Sequence, residues 1–107
     1  MSTASAFDAA GKWYRGNVHT HSTRSDAKLS PAEVAEFYRT NGYDFIALTD
    51  HLIYANPADW EDHDDFLVIQ GIENHGIDPE SGMYHLVGLG GDMEPGTRCQ
   101  PLDSFTR

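Results

Sequence analysis

The chain has one cysteine, Cys99, in 107 residues. A single thiol permits no internal disulfide and no cysteine-rich zinc cluster, and it fits a reducing compartment. Cationic side chains are scarce as well. Seven Lys and Arg stand against seventeen Asp and Glu, for a net charge of −10 with His neutral. That balance argues against nucleic acid gripped through its phosphates, which requires Lys and Arg. It also argues against an anionic membrane surface. It is compatible with bound cations that offset part of the charge. No apolar run approaches membrane-spanning length, and residues 1–12 contain no apolar leader segment. The expectation is a cytoplasmic protein without a membrane partner. A hydrophobic content of 39% with 22% charged residues suits one globular domain.

Element signals are clearest around a helix. Residues 1–12 read as a flexible lead-in, and 13–20 (WYRGNVHT) as a first strand, followed by a polar loop over 21–29. Ser30-Pro31-Ala32-Glu33 is a strong helix start. Ser30 can cap free N–H groups, Pro31 suits the first helical position, and Glu33 completes a capping box. Val34, Phe37 and Tyr38 then share one helical face. Asn41-Gly42 suits a left-handed stop. Residues 44–49 (DFIALT) form a short apolar run that reads as a buried parallel strand. Residues 52–65 are acidic and loop-like, with a helical turn expected over 57–61. Residues 66–72 (FLVIQGI) read as a third strand and 84–89 (YHLVGL) as a fourth. From Gly90 onward no element is expected. The alternation of strand and helix indicates an α/β fold.

Histidine is what the chain does have. His19 and His21 lie two apart in a strand, so both imidazoles leave the same face. Asp26, the Thr49-Asp50-His51 triplet, Glu73 and His85 follow. His21, His51 and Glu73 each come just after an expected strand, and in α/β folds ligands bind at the carboxyl ends of strands. His85 falls early in its strand. Imidazoles and carboxylates without thiolates suit zinc, manganese or iron. Glu73 is the natural bridging ligand between two ions. Clustered divalent ions acidify bound water and clamp the oxygens of a displaced phosphoryl or acyl group, so metal-assisted hydrolysis is the expected chemistry.

Other polar residues carry weaker signals. His63 sits in an acidic stretch (EDHDD) that reads as a solvated loop. His75, two residues after Glu73, is within reach of the site or its substrate and is a catalytic candidate. Arg24 is a candidate for binding a substrate anion, against the commoner role of an ion pair. Cys99 has nothing that marks it as reactive. Gly88-Leu89-Gly90-Gly91 lacks the Lys-Ser/Thr and the helix start of a phosphate loop and reads as a turn.

The stretch from Trp13 to Gly90 resembles the polymerase and histidinol phosphatase (PHP) domain superfamily. GNVHTHSTRSD, from Gly16, looks like its first motif, and IALTDH, ending at His51, like its second. Gly71-Ile72-Glu73 and His85 match positions where that family carries further ligands. WYRGN and GYDFIALTDH look most like the carbaryl-hydrolase-like branch. The resemblance implies a distorted (β/α)7 barrel with up to three divalent ions at the strand C-termini. It implies His19, His21 and Glu73 on the first ion, Glu73 and His85 on the second, and Asp26 and His51 on the third. Glu73 then takes a catalytic role, and Asp50 orients a ligand at the catalytic centre. The implied activity is a metal-dependent phosphoesterase acting on a small-molecule phosphoester. The same scaffold admits a carboxyl-ester or carbamate hydrolase.

The chain departs from the family in lacking a later His or Cys ligand and a C-terminal Asp-x-His. A full (β/α)8 barrel takes about 250 residues, so residues 13–107 read as the N-terminal portion of a truncated PHP-type barrel. Open sheet edges through which copies could pair are expected, and a non-catalytic metal-binding fragment stays open as a reading. An amidohydrolase barrel also begins with His-x-His, but the Thr49-Asp50-His51 triplet argues against it.

Overall fold

The computed structural model describes residues 5–102; the first four residues of the expected lead-in and residues 103–107 lie outside them. The fold is mixed α/β, with a curled four-stranded sheet, half a barrel in outline, and one α-helix. The strands are β1 (Gly16–Thr20), β2 (Phe45–Leu48), β3 (Leu67–Asp78) and β4 (Gly82–Leu89), in spatial order β1-β2-β3-β4. Helix α1 (Pro31–Thr40) connects β1 to β2. β1 and β2 are parallel, as are β2 and the start of β3.

The helix forms where its caps dictate. The Ser30 side chain accepts from the Glu33 backbone N–H, and the Glu33 side chain reaches back to the Ser30 backbone, closing the capping box. Gly42 follows the last turn with φ of 84°, a left-handed conformation that favours glycine. Val34 and Ala35 pack on Ile46, Leu48, Ala55 and Phe66, with Tyr38, Tyr43, Trp60 and Val68 around them. This apolar layer between α1 and one face of the sheet is the core. Phe37 does not join it and stays exposed, because the helix is buried through Val34 and Ala35 instead.

Two further expectations change. The first strand begins at Gly16, not Trp13, and the Trp13 and Tyr14 rings are exposed. β3 does not stop at Ile72. Its first part pairs with β2 over Leu67–Gln70, and from Gly71 onward it pairs antiparallel with β4. Pairing therefore continues to Asp78, with Glu73 and His75 inside the strand. β4 is the return arm of this hairpin and is exposed along nearly its whole length. Between β2 and β3 the expected helical turn is present as a 3-10 turn at Pro57–Asp59, and there is no α-helix. β1 and β4 are the edges of the sheet among the described residues.

Gly71 sits where β3 changes partner. A Cβ there would come within 2.7 Å of the Gly88 carbonyl oxygen and 2.9 Å of the Thr49 methyl. Only glycine lets the three backbones approach so closely, and Glu73 follows two residues later on the same face.

Candidate metal centre

The aim of the first two imidazoles depends on an irregularity in β1. Asn17 pairs with Ile46 but Thr20 pairs with Leu48, so three steps on β1 match two on β2. This bulge reverses the side-chain alternation. Asn17 faces α1, where its amide donates to the Tyr38 hydroxyl at 2.9 Å. Past the bulge, Thr20 shares the α1 side with Leu48, and His19 and His21 face the other way. The Asn17 side-chain Oδ1 accepts from the His19 backbone N–H at 3.1 Å and so braces the bulge.

His51 is set beside Glu73 by backbone. The Glu73 N–H donates to the Asp50 carbonyl at 3.0 Å, and the Leu52 N–H donates to the Glu73 carbonyl at 2.9 Å. Leu52 adopts φ of 59°, a left-handed conformation that an ordinary side chain rarely takes. The strained residue directly follows His51, and such strain concentrates at functional sites.

Four imidazoles converge on the Glu73 carboxylate. His21 Nε2 lies 2.6 Å and His19 Nε2 3.0 Å from Oε2, with His51 Nδ1 at 3.5 Å from the same oxygen. His85 Nδ1 lies 3.1 Å from Oε1. Asp26 forms the outer wall, 2.8 Å from His21 Nδ1 and 3.2 Å from His51 Nε2. Glu73 is buried, whereas the His19 and His85 side chains are 50% and 47% exposed. Burial alone would push the Glu73 carboxyl up, but hydrogen bonds from His19 and His21 and the charge of His51 outweigh it and hold the carboxyl below its usual range. The hydrogen bond from His21, aided by the charges of His21 and His51, likewise keeps Asp26 low.

Three groups of donors could hold a metal ion: His19, His21 and Glu73; His21, Asp26 and His51; and His51, Glu73 and His85. Within each group the donor atoms lie within 4.8 Å of one another. All six residues expected as ligands fall into this one cluster. The pattern differs from the motif-based expectation in one respect: His21 and His51 each belong to two groups, so they join the Asp26 end to the Glu73 end. The donor chemistry, imidazole and carboxylate only, fits zinc, manganese or iron.

The remaining candidates fall around this cluster. His75 pairs directly with His85 across the hairpin, with ring centroids 6.0 Å apart, and belongs to none of the three groups. Asp50 is buried and bonds to Ser22 and Ser25 rather than to an imidazole. Arg24 forks onto Asp59, with Nε–Oδ2 at 2.9 Å and Nη2–Oδ1 at 2.6 Å, so its guanidinium is already engaged. Asp59 raises its pKa further by the same hydrogen bonds. His63 makes a local bridge to Phe66 and stays exposed, as a loop residue would. Sequence reasoning missed Asn17 and Ser22. An Asn next to a His-x-His strand and a Ser after it were the only available signals.

A stretch of 44 residues, 41% of the chain, is 43% identical to the DNA polymerase/3'-5' exonuclease PolX of Bacillus subtilis (strain 168). The match spans 8% of that protein's length. No protein-family profile matches the chain, and no solved structure does. No helix among the described residues is long and apolar enough to cross a membrane.

Proposed function

We propose that the histidine–carboxylate cluster is the divalent-metal centre of a PHP-type hydrolase and that its substrates are small-molecule phosphoesters. The observation that carries this reading is the buried carboxylate of Glu73, approached by four imidazoles. A carboxylate that serves packing alone is met by ordinary hydroxyl and amide donors, as Asp50 is by Ser22 and Ser25. Four nitrogens around two oxygens match a bridging ligand with its terminal ligands. The partial similarity to an enzyme whose name includes a 3'-5' exonuclease, which cleaves phosphodiester bonds, supports phosphoester over carboxyl-ester chemistry. The excess of acidic residues favours a small substrate over a nucleic acid strand.

Glu73 would bridge two ions, with His19 and His21 on one side and His51 and His85 on the other. A third ion would be held at Asp26 by whichever of His21 and His51 is not taken by the Glu73 ions, since a neutral imidazole offers one nitrogen lone pair. Bound ions of this class acidify water and offset the negative charge that builds up on phosphoryl oxygens. The chain's own residues orient the donors and keep water from the buried Glu73 oxygens. His75, opposite His85, is the group we assign to proton transfer at the rim. Each group supplies three protein donors, and zinc takes four ligands or more in catalytic sites. The remaining positions are open to water, substrate or further residues.

The test is metal content and turnover of the purified full chain after dialysis against Mn2+ or Zn2+. At least one retained ion per chain is expected. Hydrolysis of bis(p-nitrophenyl) phosphate should appear with Mn2+, vanish with chelator and exceed hydrolysis of p-nitrophenyl acetate. A chain that retains no divalent ion overturns the reading. A metal-loaded chain that cleaves only the acetate transfers it to carboxyl esters.

A further inference from the structure

Asp50 sits between Thr49 and His51, yet its carboxylate takes no part in the imidazole cluster. It is 2% exposed. Its Oδ1 accepts from the Ser22 backbone N–H and from the Ser25 hydroxyl, both at 2.7 Å. Its Oδ2 accepts from the Ser22 hydroxyl at 2.7 Å. Short bonds to an ionised acceptor in a buried site are strong ones. All three donors belong to residues 21–26, the loop that carries His21 and Asp26.

Asp26 needs this support. Its side chain is 62% exposed, and it meets His21 from its own loop and His51 from the end of β2. The Ser25 hydroxyl also lies 3.4 Å from its Oδ1. The Arg24 fork onto Asp59 ties down the outer side of the same loop. Behind both fastenings lies a cavity of about 210 Å³, lined by Arg24, Asp50 and Asp59 together with apolar residues such as Leu48 and Trp60.

We infer that Asp50 is a positioning residue. Its carboxylate fastens the 21–26 loop to the end of β2 and thereby sets the His21–Asp26–His51 group, whereas the His51–Glu73–His85 group has no member on that loop. The inference rests on the metal-centre reading above and names the device that assembles one part of that centre.

The chemistry of the three bonds separates positioning from proton transfer. In Asp50→Asn the oxygen still accepts from the Ser22 N–H and the Ser25 hydroxyl, and the amide donates to the Ser22 hydroxyl. Asp50→Ala removes all three bonds. The full chain and both variants are titrated with Co2+ alone, followed by visible absorption and by ion count after dialysis. Amide hydrogen exchange over residues 21–27 is measured without metal. Wild type and D50N should bind equal numbers of ions. D50A should lose one ion, with affinity at that group falling about 10–100-fold, the range for removing a residue that supports a ligand. Exchange in the loop should speed up in D50A and not in D50N.

An unchanged ion count and unchanged exchange in D50A overturn the proposal. So does a D50N variant that loses the ion as fully as D50A, since that result assigns the role to the charge. If D50A does not fold, Ser25→Ala cuts one of the three bonds from the loop side and should move both readouts the same way by less; no movement overturns the proposal. A wild type that binds no Co2+ overturns the metal-centre reading and with it the role assigned to Asp50 there. The exchange data then still report whether Asp50 fastens the loop.

Discussion

On the α1 side of β2, Ile46 and Leu48 meet Val34 and Ala35, and the residues packed there include no carboxylate, imidazole or cationic group. At the end of the same strand, on the opposite side, His51 meets Glu73 and Asp26. The two regions share backbone and differ in what holds them. The first is held by burial, which is non-directional and tolerates substitutions of similar volume. The second is held by hydrogen bonds and charge at distances near 3 Å, which are directional and respond to protons and ions. The apolar side therefore sets stability, and the polar side sets chemistry at little gain in stability.

The sharpest way to break this comparison is Leu48→Ala. Leu48 is 1% exposed, and truncating a buried leucine costs about 2–5 kcal/mol. A urea melt should show that loss, while the folded fraction keeps its metal stoichiometry. A change in stoichiometry without a change in melt would mean that the two sides are not separable.

Acid should act on the other side. Glu73 and Asp26 have folded-state pKa values below their ordinary ones. Their contribution is therefore fully present above the unfolded-chain values near 4 and is lost as pH falls through the lower folded values. Melts recorded from pH 7 downward should weaken below about pH 4. Glu73→Gln should shrink that acid limb without removing it, because Asp26, Glu36 and Asp78 are also held low. E73Q should also reduce ion retention at both groups that contain Glu73. An acid limb unchanged in E73Q would separate Glu73 from the titration.

The smallest expected effect is at the helix start. Ser30→Ala removes a cap remote from both regions and should lower stability by about 1 kcal/mol, with ion count and acid limb untouched. A change in either would show that α1 transmits to the polar side.

Much of this was legible in the residues. The capping box, the buried run at 45–48 and the turn near Pro57 are local signals, each readable within a few positions. The six ligand candidates were legible as types in a pattern that resembles a known family. Less legible was anything that depends on pairing. Phe37 looks like core by helical period but is exposed, since the period does not say which arc the sheet covers. β3 looks complete at Ile72, yet its pairing with β4 carries it to Asp78 because the hairpin supplies a partner for every residue. Arg24 was readable as half of an ion pair, but its partner was not, since Asp59 lies thirty-five positions away.

Short-range physics in the chain was enough to specify the helix, its ends, the apolar strand behind it and the kinds of atom available to a metal. It also put His19 and His21 on one face, since alternation needs no partner strand. Which face that would be depended on the bulge opposite β2, a mismatch of register between two strands that neither contains alone. The meeting of four imidazoles at Glu73 depended likewise on β3 passing from a parallel neighbour to an antiparallel one. Both are properties of pairing over long sequence separation, and a local pattern holds no information about them.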